Sequence, residues 1–185
     1  MNNSRTRKIV ITGILGAIAI ILGVTRLGFI PWFAGAALTI MHVPVIIGAI
    51  LEGPIVGLGI GLIFGVFSWL QASVAPTGVV DPIFSNPLIS VFPRLLIGPI
   101  SWLVWKALNK YTVVGLLVTG VVGSLTNTVF VLGMIGIFGF LQWPAIFAIA
   151  GANGLPEAAA AAVIVLLVVA AWKRISIGKK QGANL

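Results

Sequence analysis

Apolar residues run through this chain in six long blocks, and the short stretches between them collect nearly all of the charge. A helix that crosses the hydrocarbon core of a bilayer needs about 20 mostly apolar residues, with about 17 as the lower limit. Blocks that approach or exceed this length fall near 8–25, 36–51, 54–71, 87–108, 113–140 and 145–172. The second is short, and the fifth is long enough to tilt or to take in part of a loop. Glu52-Gly53-Pro54 separates the second from the third and has the composition of a tight turn. Two longer connections remain: 26–35, with Arg26, Trp32 and Phe33, and 72–86, with Pro76, Gly78, Asp81 and Pro82. The runs are continuous rather than alternating at every second residue, which argues against a β-barrel. The pattern predicts an all-α integral membrane protein with six transmembrane helices in one domain, 1–175, followed by a polar cytoplasmic tail, 176–185.

Composition supports this reading. The chain is 59% hydrophobic and 8% charged, with a mean hydropathy of +1.19, whereas a soluble domain is about half apolar and about a quarter charged. The first block follows Arg5, Arg7 and Lys8 as a signal peptide would. It lacks a small-residue cleavage site and further blocks follow, so it reads as a retained first helix. The net charge of +8 raises the question of nucleic acid. The basic residues cluster at block ends rather than forming a solvated basic face, so they read as topology signals and no nucleic acid partner is expected. Six spans put both termini on one side. With that side cytoplasmic, nine of the eleven basic residues lie inside: Arg5, Arg7, Lys8, Lys106, Lys110, Lys173, Arg174, Lys179 and Lys180. Arg26 alone falls in an outer loop and Arg94 within a span. The positive-inside rule therefore predicts cytoplasmic termini in a multi-pass protein of the cell membrane.

The chemistry available is narrow. There is no cysteine, one histidine and only three acids, Glu52, Asp81 and Glu157. Disulfides and thiolate metal sites are excluded, and little is left for metal or acid–base chemistry. No cofactor, metal or enzymatic activity is expected. A membrane enzyme acting on lipid-like substrates would want clustered acids or histidines at a water interface, and these acids are scattered. There is no Walker A loop, nor the two similar halves that secondary transporters often carry.

Within these limits Arg94 stands out, in the run Pro87-Leu-Ile-Ser-Val-Phe-Pro-Arg94-Leu-Leu-Ile-Gly98. A cation inside a membrane segment costs roughly 2.5 to 3.5 kcal/mol even on lenient insertion scales, so it faces a cavity, a counter-ion or a ligand. Either it pairs with Glu157 or Asp81 as a structural bridge, or its planar bidentate donor meets a ligand carboxylate or phosphate. Other unusual polar groups converge on the same outer half. Asn153 and Glu157 lie in the outer part of the sixth block, Asn127 near the middle of the fifth, and Asp81 in the outer connection. Asn127 reads equally as interhelical glue. Asn153 and Glu157 straddle Gly154 and Pro156, which predicts a broken helix start with Glu157 as a first-turn charge or a ligand contact. His42 reads as a packed histidine and Glu52 as a solvated turn residue. Trp32, Phe33 and Trp143 read as interfacial anchors or as loop aromatics that close over a ligand. The small-residue patterns Gly13-x-x-x-Ala17 and Gly57-x-x-x-Gly61-x-x-x-Gly65 permit close helix approach, within the chain or to a partner.

The run Leu38-Thr-Ile-Met-His42-Val-Pro44-Val-Ile-Ile-Gly48-Ala-Ile-Leu-Glu-Gly53-Pro54, the Gly57/Gly61/Gly65 segment after it and Asn86-Pro87-Leu-Ile-Ser-Val-Phe-Pro93-Arg94 together resemble the substrate-binding S component of energy-coupling factor (ECF) vitamin transporters. The resemblance covers most of the chain. It implies a six-helix membrane subunit that captures a water-soluble vitamin or precursor from outside. It also implies partners: a transmembrane coupling subunit and two ATP-binding cassette ATPases. A small-xxx-small motif on the first helix, usually Ala-x-x-x-Ala, docks on the coupling subunit in that family, and its positions here are Gly13 and Ala17. The Pro93-Arg94 run is most similar to pantothenate-type members. The implied substrate set is Arg94, Asn127, Asn153 and Glu157, with Trp32 and Asp81 from the outer loops. The competing reading is a stand-alone small channel or scaffold in which Arg94 is merely paired.

Overall fold

The structure, a computed structural model, describes residues 3–31, 37–76 and 81–174. Helix α1, Asn3–Val24, leads into a two-stranded antiparallel hairpin, β1 Phe29–Pro31 with β2 Ala37–Thr39, in which Phe29 lies opposite Thr39. Helices α2, Val43–Glu52, and α3, Pro54–Val74, follow, and then a 3-10 turn, Asp81–Ser85. Helix α4, Pro87–Ser90, precedes α5, Phe92–Leu108, α6, Thr112–Ile137, and α7, Trp143–Lys173. Among the described residues, five helical stretches are long and apolar enough to cross a membrane: Ser4–Val24, Pro54–Val74, Pro87–Leu108, Thr112–Ile137 and Trp143–Lys173. The protein is an all-α membrane protein apart from its small hairpin.

The second block departs from the expected continuous helix. Its start, Ala37–Thr39, is a strand, and its helix has ten residues. At about 1.5 Å per residue that helix is about 15 Å long, half of a hydrocarbon core of about 30 Å. Pro44 near its N-terminus, with φ preset for a first turn, explains where it begins. A helix this short is tolerated at membrane depth because protein rather than lipid surrounds it: every residue from Val43 to Ile50 is buried. Its Ile46 joins Ile60 of α3, Ile97 of α5, Leu116 of α6 and Val165 and Val169 of α7 in the core, all fully shielded.

Glycines let the helices close on this core. A Cβ on Gly57 would come within 2.8 Å of the Gly98 Cα, and one on Gly65 within 2.8 Å of the Val91 Cα. A Cβ on Gly61 would strike the Arg94 carbonyl oxygen. The glycine stripe of α3 is thus an internal seam against α4 and α5. On the other side, Gly120 of α6 leaves room for the backbone of α7 at Ala162. Gly13 and Ala17 lie instead on an exposed face of α1, where nothing approaches the Gly13 Cβ position within 4 Å.

Several contacts gather the charged ends. Arg7 at the start of α1 pairs with Glu52 at 2.7 Å, so Glu52 is not the solvated turn residue expected, and its side chain is 8% exposed. Gly53, at φ 97°, makes the turn from α2 to α3 beside Trp102 of α5. The Lys173 ammonium at the end of α7 sits 4.8 Å from the centroid of the Trp105 ring of α5. The start of α1, the α2–α3 turn and the ends of α5 and α7 therefore share one end of the bundle.

Two further expectations change in detail. The fourth block is divided at Val91 into α4 and α5. Pro156 does not break α7, which runs unbroken from Trp143 to Lys173. Close packing on α6, where a Cβ on Gly154 would lie 3.3 Å from the Thr128 methyl group, holds the helix through the proline. Trp32 and Phe33, and the tail 176–185, lie outside the described residues.

Candidate functional site

The environment of Arg94 follows from the prolines around it. Pro87 opens α4, whose N-cap Asn86 accepts a hydrogen bond from the Leu88 N–H at 2.9 Å. Pro93 has no N–H, so it cannot donate to the carbonyl of Ile89 four residues earlier, and the helix is interrupted there. Arg94 Nη1 donates to that same Ile89 carbonyl at 2.6 Å. The proline that breaks the helix thus frees the acceptor that positions the guanidinium.

Above it, the 3-10 turn is fastened to α3 and α4. Trp69 Nε1 donates to the Ser85 carbonyl at 3.0 Å, Ser85 Oγ to the Ala72 carbonyl at 3.3 Å, and Ser90 Oγ to the Phe84 carbonyl. These bonds place the Phe84 ring 5.2 Å from the Arg94 guanidinium carbon, with Phe64 of α3 at 5.4 Å. Both are within cation–π range. Asp81 begins this turn and is half-buried.

Arg94 is 5% exposed, and its Nε has no hydrogen-bond partner. Glu52 is not available to it, since that carboxylate pairs with Arg7. The expected structural bridge from Arg94 to Glu157 does not form among the described residues. Glu157 is spoken for elsewhere: its Oε1 accepts from the Thr39 N–H at 2.7 Å and its Oε2 from Thr128 Oγ1 at 3.4 Å. The carboxylate ties β2 to α6 and α7. Nor is Glu157 a first-turn charge, since it lies in the middle of α7.

Four more side chains of this interior, His42, Ser101, Ser124 and Asn127, have polar atoms unmatched. Asn127 is 5% exposed and its Oδ1 lacks a donor. His42 is fully shielded, and neither Nδ1 nor Nε2 has a partner. The register shows how they relate. Ile46 of α2 and Ser101 of α5 meet at Gly123 of α6, where a Cβ would lie 2.7 Å from the isoleucine and 2.6 Å from the serine. His42 and Asn127 are each four residues from that layer, His42 toward the hairpin and Asn127 toward the C-terminal end of α6. Arg94 is two turns from Ser101 in the same direction, and its charge reaches His42. Asn153, one turn before Glu157 on α7, is half-buried.

Of the residues predicted from sequence, Arg94 and Asn127 are thus interior groups with free hydrogen-bonding capacity. Glu157 is buried but engaged with the hairpin, and Trp32 lies outside the described residues. His42 was read as ordinary packing. Its position at the head of a wholly buried helix marks it as interior, but the lack of any polar neighbour to satisfy its ring is visible only in three dimensions.

An arrangement of this kind can hold an anion with a neutral polar body, and it offers no cluster of acids or histidines for catalysis. Residues 7–174 match the family described as ECF transporter, substrate-specific component. The chain is similar to a pantothenic acid transporter, PanT, of Lactococcus lactis, at 30% identity over 176 residues that cover 85% of this chain and 89% of that protein. It is similar also to a pantothenate transporter, PanT, of Leuconostoc mesenteroides, at 34% identity over 152 residues that cover 76% and 72%.

Proposed function

We propose, for a chain that belongs to the family of ECF transporter substrate-specific components, that it is the subunit of an ECF-type importer which captures pantothenate outside the cell. The observation that carries the choice of cargo is the Arg94 guanidinium, buried and with its Nε unmatched. Pantothenate supplies a carboxylate, and a planar fork of donors matches it bidentately. The two relatives named as transporters of this same acid point the same way. Asn127 and Asn153 would bind the neutral part of the cargo, with Glu157, Asp81 and Trp32 closing the outer side.

The membrane arrangement is part of this reading. Six passes are supported by the pairing of Arg7 with Glu52, which returns the second segment to the end where α1 starts. Its strand and its short helix together make that pass. The basic end, with Arg5, Arg7, Lys8, Lys106, Lys110, Lys173 and Arg174, is the cytoplasmic one. The hairpin and the 3-10 turn then face outward, over Arg94. The exposed Gly13 and Ala17 give α1 a smooth face for a transmembrane coupling subunit, which in turn engages two ATPase subunits. The single membrane domain is 1–175, with 176–185 as a cytoplasmic tail.

The test is calorimetric titration of the purified chain with a panel of water-soluble vitamins that includes pantothenate. Pantothenate should bind, and Arg94→Ala should weaken it by well over tenfold while the detergent-solubilised protein remains folded. Unchanged affinity in that variant would sink the carboxylate clamp. A stand-alone channel or scaffold needs Arg94 to be satisfied internally, and its unmatched Nε, with Glu157 engaged elsewhere, counts against it.

A further inference from the structure

We propose that His42, with Asn127, is the specificity element that reads the hydroxyl end of the cargo, while Arg94 holds its carboxylate. This rests on the cargo reading above and adds a residue and a division of labour to it.

A neutral imidazole carries one donor and one acceptor. In His42 both are shielded from solvent and neither is matched within the protein. Native interiors rarely leave such a group unmatched, since each unmade hydrogen bond costs the desolvation of the group. Asn127 Oδ1 adds an unmatched acceptor, and Ser124, one turn along α6, adds an unmatched hydroxyl. Buried polar atoms that the protein does not satisfy are complementary to a ligand that does.

The chemistry required can be read from the set. Arg94 Nε requires an acceptor, Asn127 Oδ1 requires a donor, and His42 requires one of each. An anion with hydroxyl groups at its far end meets all of these, because a hydroxyl both donates and accepts. The anionic end belongs at Arg94, whose guanidinium stays charged between Phe64 and Phe84. The neutral end belongs at His42 and Asn127, the groups four residues from the Ile46–Gly123–Ser101 layer. Access is built into the same segment. Thr39, whose N–H is held by Glu157 at 2.7 Å, is three residues from His42. Release of that bond would loosen the tie between α7 and the strand that leads to the imidazole.

Three probes separate the roles: pantothenate, its alcohol panthenol, which lacks the carboxylate, and a dideoxy analogue that keeps carboxylate and amide but has hydrogen in place of both hydroxyls. A site that bonds a substrate hydroxyl rejects the analogue without it strongly, by about ten-thousandfold in the best cases. Wild-type protein should therefore prefer pantothenate to the dideoxy analogue by at least about a hundredfold. His42→Phe and Asn127→Leu should each reduce that preference by about tenfold or more, with affinity for the dideoxy analogue nearly unchanged. His42→Gln, which keeps a donor and an acceptor, should restore part of it. Arg94→Ala should instead erase the preference for pantothenate over panthenol.

A general loosening of the fold would weaken all three probes alike, and that result overturns the proposal. So does an undiminished hydroxyl preference in His42→Phe and Asn127→Leu, which leaves the cargo reading intact. If His42→Phe fails to fold, the Gln and Asn127→Leu variants decide by the same ratio. Failure of wild-type protein to bind any probe removes the cargo reading, and this inference with it.

Discussion

Glu157 illustrates how a residue's partners determine its part in a site. Its two oxygens accept from the Thr39 backbone and the Thr128 hydroxyl, so it organises the hairpin rather than neutralising Arg94. Glu157→Ala would leave the Thr39 N–H unmatched and cost about 1 to 3 kcal/mol of stability. Hydrogen exchange at Thr39 should accelerate more than at the core of α3, and equal rates would deny the tie. Arg94 itself was legible, because a guanidinium in an apolar run is conspicuous in any chain. Its partners were not. Ile89 offers it a carbonyl only because Pro93 withdraws a donor, and the Phe84 ring arrives from a turn held by three hydrogen bonds. His42 escaped notice for the opposite reason, since a lone histidine in an apolar run is usually satisfied by its neighbours.

At the scale of elements, hydropathy located the long helices to within a few residues. The second block was harder, because apolarity gives no warning that Ala37–Thr39 pairs with β1 or that the helix starts beside Pro44. Its ten residues are apolar for the sake of packing, not for contact with lipid. The glycines divide into two kinds that sequence spacing does not distinguish. Gly98 meets the Gly57 backbone directly, whereas Gly13 meets nothing within 4 Å. Gly98→Ala should therefore force α3 from α5 and destabilise the subunit by about 1 to 3 kcal/mol, read as a lowered Tm. Gly13→Ala should leave Tm within a degree or two of the wild type. A bulky residue at Gly13 or Ala17 should block assembly with the coupling subunit and uptake, yet spare pantothenate binding by the isolated chain. Loss of binding in that variant would mean that this face packs internally.

For the whole molecule, the arrangement of charge gives a direct check of orientation. The chain contains no cysteine, so single cysteines introduce the only reactive thiols. Asn109→Cys, at the basic end between α5 and α6, should react with a membrane-impermeant maleimide only after the cells are permeabilised. Gln142→Cys, exposed just before α7, should react in intact cells. The reverse pattern would invert the proposed topology. Hydrophobicity made the membrane helices readable from sequence, while the interior polar set depended on long-range contacts that no local pattern encodes. One such contact has a mechanical corollary. Gly57 against Gly98, Gly61 against the Arg94 carbonyl and Gly65 against Val91 leave α3 and α5 touching along their backbones, with no side chains between them to deform. Such a seam is stiff, and the wall that bears Arg94 is a fixed jaw. On the opposite side the hairpin is tied to α7 through the Thr39 N–H and the Glu157 carboxylate, a contact that can yield where the seam cannot, so loading and unloading of cargo should strain the hairpin side and leave the arginine where it stands.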